Sequence, residues 1–208
     1  MIKINLGCGL STADNWENID GSPTVLIQKL PVFGVFFRLI TSPKFPASVK
    51  YGDVRTGLPF PNESVDIIYS SHMLEHLSLE DFRLALEEIQ RILKPGGVFR
   101  SVIPDLEVSI KDYLACSNTN ASSQFLRNTM LGVEKRPRGF LTKCRSLFGN
   151  SNHLWMWDFK GIQEELKNAG FYDIRRSYFN DSQTVDFLEV EDYERWNNCL
   201  GFECKKTD

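Results

Sequence analysis

The chain has 208 residues, 42% of them hydrophobic and 25% charged, which suffices for one substantial core in an ordinary globular protein. Its net charge of −3 gives no basic footprint for DNA or RNA, so nucleic acid is not the expected partner. The five cysteines, Cys8, Cys116, Cys144, Cys199 and Cys204, are odd in number and lack C-x-x-C spacing, which excludes a disulfide scaffold and fits a reduced, cytoplasmic protein.

The first element is the apolar run Ile2–Leu6, read as a strand and not as a signal peptide. Ile4-Asn-Leu-Gly-Cys-Gly9 then places a glycine pair just past that strand. At the carboxyl end of a parallel strand, absent side chains let a ligand press on the backbone. A bare G-x-G also occurs in tight turns, so position 12 matters. A dinucleotide fingerprint wants a third glycine there, and this chain has Thr12. That disfavours a nicotinamide or flavin enzyme and suits a ligand without phosphates. The second strand is Trp16–Ile19, followed by Asp20, whose carboxylate suits both ribose hydroxyls. Only about six residues separate Gly9 from Trp16, too few for a normal crossover helix, so the first crossover is abbreviated.

Residues 24–46 form an apolar insertion. Its run Val25–Ile40 is shorter than the roughly 20 residues a spanning helix needs, and Lys29, Pro31 and Arg38 interrupt it. No transmembrane segment is expected. The leading reading is a buried lid over the site; the competing one is peripheral membrane contact through residues 25–40. The third strand, Val49–Tyr51, leads into Gly52-Asp53, where a carboxylate can accept from an adenine amino group.

Val65–Ser70 reads as the fourth strand. Ser78-Leu-Glu-Asp81 reads as a capping box for a helix that buries Phe82, Leu86, Ile89 and Leu93 and is stopped by Pro95-Gly96-Gly97. Further expected elements are a strand at Val98–Ile103, helices over Leu106–Ala115 and from N-cap Asp158 to Gly170, and strands at Tyr172–Tyr178 and Cys199–Cys204. A long connection that includes Asp181–Asn198 joins the last two. Strands alternating with helices imply a mostly parallel α/β sheet in one domain spanning 1–208.

In order and spacing, Leu6-Gly-Cys-Gly9, Asp20, Gly52-Asp53, Leu58-Pro-Phe-Pro61, Val65–Leu77 and Leu93-Lys-Pro-Gly-Gly97 resemble the class I S-adenosylmethionine-dependent methyltransferases. The resemblance covers about residues 2–105. The remainder is similar to small stand-alone enzymes of that class associated with surface-polysaccharide assembly. It implies a Rossmann-like, doubly wound, seven-stranded sheet with a reversed last strand, and S-adenosylmethionine across the ends of the first strands. It also implies a cofactor shell of Leu6, Gly7, Cys8 and Gly9 near methionine and ribose, Asp20 on the ribose, Gly52, Asp53 and Val54 at the adenine, and Ser70 and Ser71 on the far wall.

Methyl transfer to an acceptor oxygen needs alignment and, for a hydroxyl, a proton acceptor. The only histidines are His72, His76 and His153. His72-Met-Leu-Glu-His76 matches the inverted zincin pattern, yet its place directly after a strand of the transferase fold argues against a peptidase. Glu75 and His76 either anchor this loop or, with His72 and His153, hold a divalent metal, a set that resembles the metal-binding segment of some methyltransferases. His72, His153 and Asp105 are the candidate catalytic groups; Asp105 equally suits a helix cap. His153-Leu-Trp-Met-Trp-Asp158 reads as core aromatics or as a wall for a sugar ring. Residues 132–151 carry Lys135, Arg136, Arg138, Lys143 and Arg145 against Glu134, either a solvated loop or a collector of an anionic acceptor. The expectation is O-methylation of a small or saccharide-type acceptor, with a non-catalytic cofactor-binding subunit as the rival.

Overall fold

The computed structural model describes residues 1–30, 43–134 and 152–207. Most of the expected lid and of the basic loop therefore lies outside the described residues. The strands are β1 (Lys3–Leu6), β2 (Glu17–Asp20), β3 (Lys50–Tyr51), β4 (Val65–Ser71), β5 (Leu93–Pro104), β6 (Phe171–Ser177) and β7 (Cys199–Lys206). They form one sheet in the order β3-β2-β1-β4-β5-β7-β6. β1 to β5 are mutually parallel, and β7 is antiparallel to both neighbours. All seven expected strands are present, and the reversed last strand is the one that lies between β5 and β6.

Strand alternation sorts the core into two faces. Ile4, Leu6, Ile68, Phe99 and Ile103 point to one face. There they meet α2 (Leu79–Ile92), through Phe82, Leu86 and Ile89, and α5 (Phe159–Asn168), through Ile162 and Leu166. Ser78 caps α2 by accepting from Asp81 N at 3.1 Å, and Asp158 caps α5 by accepting from Gly161 N at 2.8 Å. Gly170, at φ 87°, ends α5 in the left-handed conformation that glycine tolerates.

One boundary differs from expectation. α2 stops at Ile92, and Leu93 is already extended and pairs with Val65, so Pro95-Gly96-Gly97 lies inside an irregular start of β5. Long-range pairing ends this helix before its local breakers are reached.

The opposite face is covered differently. β1 and β2 are joined by the short loop Gly7–Trp16, which has no helix. Two buried asparagines hold this loop. Asn5 Nδ2 donates to Ser11 O (2.8 Å) and to Asn18 Oδ1 (3.1 Å), and Asn18 exchanges bonds with the main chain of Ala13. Asn15 turns the chain at φ 62°, a conformation asparagine tolerates better than most residues. The sheet surface a crossover helix would occupy is filled instead by the chain after β6. Phe187, in a 3₁₀ turn at Val185–Glu189, and Trp196, in the short α6 (Tyr193–Trp196), pack on Trp16, Ile67, Tyr69, Val98 and Val102.

Polar contacts fasten that chain to the sheet. Lys3 Nζ reaches Asp186 at 3.1 Å and Glu189 at 2.8 Å, and Trp16 Nε1 donates to Glu189 at 2.8 Å. The fully buried Arg100 of β5 pairs with Glu191, Asp181 and Glu203, donates to Tyr178 O, and stacks on Trp196.

Three further helices complete the described chain: α1 (Pro23–Gln28), α3 (Leu106–Ala115) and α4 (Ala121–Asn128). α1, capped by Ser22, occupies the start of the stretch expected to be an apolar insertion. α3 has the expected bounds but buries none of its residues. No described helix is long and apolar enough to cross a membrane.

Candidate active site

The carboxyl ends of β1, β2, β3 and β4 converge on one edge of the sheet, where a doubly wound fold binds ligands. Gly7 and Gly9 both have positive φ, 67° and 56°. A Cβ on Gly7 would overlap Met73, whereas one on Gly9 would meet no atom of the described residues within 4 Å. Gly7 is therefore required by packing, and Gly9 faces open space. Asp20 Oδ2 accepts from Gly9 N at 2.9 Å and Oδ1 from Ser22 N at 2.8 Å. The carboxylate is thus pinned to the glycine turn, and each oxygen keeps a lone pair for a further donor such as a ribose hydroxyl.

At the end of β3, Asp53 is gripped by Arg55, whose Nη2 lies 2.7 Å from Oδ2. That guanidinium holds the Asp53 carboxyl below the usual range. A donor arriving at Asp53 has to share it with Arg55, so the adenine end is the weaker part of the fit. Gly52 is a packing glycine, because a Cβ there would strike Ile19. Leu6 and Val54 put their side chains into the main core, and Cys8 sits in a small cluster with Val25, Phe45 and Val49. Burial, aided by Asp20, pushes the Cys8 thiol up to about 12, so it stays protonated. Ser70 is fully buried, and Ser71 accepts from Arg195 Nε at 2.7 Å. Arg195, Asp192, Ser11 and Tyr69 border the same pocket as Gly7. The chain pattern carries no signal for the first two; Arg195 is placed by Ser71, 124 residues earlier.

On the reacting side the structure gathers His72, Glu75, His76 and His153 and sets Asp105 apart. His72 adopts φ 51°, an uncommon conformation for a non-glycine residue. Its Nε2 faces Arg195 O at 2.8 Å and its Nδ1 lies 3.2 Å from Glu75 Oε1. Burial works against a charged ring, but contacts with Cys199, Glu75 and the Arg195 carbonyl outweigh it and raise the His72 pKa to about 10. A ring that is already protonated orients its neighbours and accepts no proton. His153 is the reverse case: burial is the main influence and lowers its pKa, and its buried Nδ1 has no well-aligned hydrogen-bond partner among the described residues.

Glu75 is almost wholly buried, and among the described residues neither carboxylate oxygen has a well-aligned donor, the His72 contact being off-axis. Its main chain ties the loops together, since Leu154 N and Trp155 N donate to Glu75 O at 2.8 and 3.3 Å. Ligand atoms of Glu75, His76 and His153 all lie within 4.8 Å of one another, and His76 Nδ1 is held 3.0 Å from Asn152 O.

Asp105 caps α3, accepting from Glu107 N at 2.8 Å, and pairs with Arg176. Both of its carboxylate oxygens are engaged structurally. Trp157 is buried against Phe82, while Trp155 is exposed, so one indole belongs to the core and the other faces outward.

A family model described as a methyltransferase domain matches residues 37–101. The Aspergillus luteorubrus protein named "Probable methyltransferase ltbC" is 38% identical over 56 residues, 26% of this chain and 20% of its own length. The chain therefore aligns with only a fifth of that relative. Among solved structures, an S-adenosylmethionine-dependent methyltransferase of Archaeoglobus fulgidus matches with a TM-score of 0.51 at 15% identity, covering 98% of this chain and 85% of that one. A phosphoethanolamine N-methyltransferase of Haemonchus contortus, solved with S-adenosylhomocysteine, matches with a TM-score of 0.52 at 12% identity, covering 100% of this chain and 49% of the other. Identities this low speak to fold.

The sheet order, the reversed β7 and the glycine turn after β1 define the class I α/β methyltransferase fold. The matched domain spans residues 37–101 only, and across the whole chain the likeness to S-adenosylmethionine-dependent methyltransferases is one of fold.

Proposed function

We propose that this chain transfers the methyl group of S-adenosylmethionine to an oxygen of a small or saccharide-type acceptor. The observation that carries the reading is Asp20 pinned to the Gly9 amide beside an open glycine turn. This arrangement presents acceptor oxygens to a ribose and bare backbone to a sulfonium chain. Asp53 takes the adenine amino group in competition with Arg55. Of the three candidate catalytic groups, His153 suits proton acceptance, because burial keeps its ring neutral and its Nδ1 has no well-aligned partner among the described residues. His72 acts by positioning, and Asp105 is structural, as the cap of α3 and the partner of Arg176. Exposed Trp155 supplies a flat surface for a sugar ring, and the basic residues of 132–151 favour an acceptor that carries negative charge.

The test is transfer of labelled methyl from S-adenosylmethionine to a panel of sugars, sugar phosphates and nucleotide sugars. The expected product is a methyl ether that survives alkali. Tight cofactor binding with no transfer across that panel would refute the reading in favour of a non-catalytic subunit.

A second reading, that a divalent cation assists the acceptor oxygen, is favoured by the buried, undonated Glu75 carboxylate between His76 and His153. It predicts stoichiometric metal in the purified enzyme and its loss in Glu75→Gln. An active enzyme without metal by elemental analysis refutes it.

A further inference from the structure

We propose that Asp192 and Arg195, supplied by the chain after β6, together hold the zwitterionic amino-acid end of the cofactor. The inference rests on the reading of this sheet edge as the S-adenosylmethionine site and assigns the residues for one end of it. With the first crossover reduced to a short loop, no helix after β1 is available to enclose that end of the ligand. The chain carrying Phe187 and Trp196 takes the vacated surface, and α6 is thereby set down on the pocket bordered by Gly7 and Cys8.

Arg195 is fixed there by two bonds to Ser71, from Nε to Oγ at 2.7 Å and from Nη2 to the carbonyl at 2.8 Å. Its own carbonyl faces His72 Nε2 at 2.8 Å, which ties α6 to the end of β4. Nη1 has no hydrogen-bond partner among the described residues, and no described carboxylate forms an ion pair with this guanidinium. The arrangement is a pre-oriented cation with spare donors at the rim of a ligand pocket.

Asp192 borders the same pocket three residues earlier. Its Oδ1 accepts from Glu194 N at 3.0 Å, and the other oxygen is free of hydrogen bonds among the described residues. A carboxylate and a guanidinium on the same short turn, neither in an ion pair among the described residues, match the ammonium and carboxylate of an α-amino acid. Sheet order supports the direction of the ligand. Asp20 and Asp53 mark the adenosine end at β2 and β3, while Gly7, Ser71 and Arg195 lie at β1 and β4. A ligand running along this edge therefore brings its amino-acid end to α6.

Calorimetry with S-adenosylhomocysteine and 5′-methylthioadenosine tests the assignment, because the second ligand keeps the adenosine and sulfur but lacks the amino-acid end. The wild type should bind S-adenosylhomocysteine more tightly. Arg195→Met should weaken that ligand at least tenfold and change 5′-methylthioadenosine by less than twofold, which also reports that the pocket remains folded. Arg195→Lys should be intermediate, and Asp192→Asn should weaken S-adenosylhomocysteine alone. Variants that bind S-adenosylhomocysteine like the wild type would overturn the proposal, as would equal loss of both ligands in Arg195→Met. A wild type that binds both ligands equally overturns the pair but keeps the cofactor site; one that binds neither overturns both.

Discussion

Arg100→Met gives the sharpest measure of how the chain after β6 is held on the sheet. The guanidinium is fully buried and serves Glu191, Asp181, Glu203 and Tyr178 O together. Arg175 also contacts Asp181 and Glu203, so those two acids keep a cation in the variant. Glu191 has no other ion pair among the described residues, and its side chain is inaccessible to solvent. Its remaining described bond is from Asn180 N, at 2.7 Å. Removing one member of a buried pair costs about 3–5 kcal/mol, because the other charge is left stranded. At roughly 2–4 °C per kcal/mol for a chain of this size, Tm should fall by about 6–20 °C in differential scanning calorimetry at neutral pH. The double variant Arg100→Met/Glu191→Gln removes the stranded charge and should recover a measurable part of that loss. A single variant within about 1 kcal/mol of the wild type, or a double variant no better than the single, would refute the reasoning.

Gly9→Ala places a Cβ at positive φ in open space, so it should cost only about 1–2 kcal/mol of stability while weakening S-adenosylhomocysteine at least tenfold by calorimetry; unchanged affinity would remove Gly9 from the site. His72 has a folded pKa of about 10, above its ordinary 6.5, so its stabilising contribution is complete below about 6.5 and fades as pH rises toward 10. His72→Gln should flatten the fall of Tm across that window, and a slope identical to the wild type's would contradict the ion contact with Glu75. Asp105→Asn keeps an oxygen for the α3 cap but loses the charge facing Arg176, so stability should drop while kcat changes less than about twofold; a loss near the 10²-fold typical of a missing general base would instead make Asp105 catalytic.

Much of this architecture was legible in the sequence because it is locally encoded. The central strands β1, β4 and β5 announce themselves as apolar runs, and Ser78 and Asp158 mark helix starts where their side chains do cap. Ser22-Pro23 is an equally good start signal for α1, but it sits in an apolar stretch that reads as a lid. The end of α2 departs from the local pattern because Leu93 obeys its pairing with Val65 rather than the following Pro-Gly-Gly. Asp105 carries identical local signals as cap and as base, and Arg176, 71 residues away, distinguishes them. Arg195 was illegible for the same reason on a larger scale. Nothing near it in sequence indicates that Ser71, 124 residues earlier, will fix its guanidinium.

The position of β7 has a consequence for biosynthesis. This strand, Cys199–Lys206, is inserted between β5 and β6 and is the hydrogen-bonding partner of each. A nascent chain released only as far as residue 198 therefore has two bare sheet edges, and Glu203 has yet to meet Arg100. Such edges recruit other chains. The nascent domain consequently cannot close its sheet until residue 206 has left the ribosome.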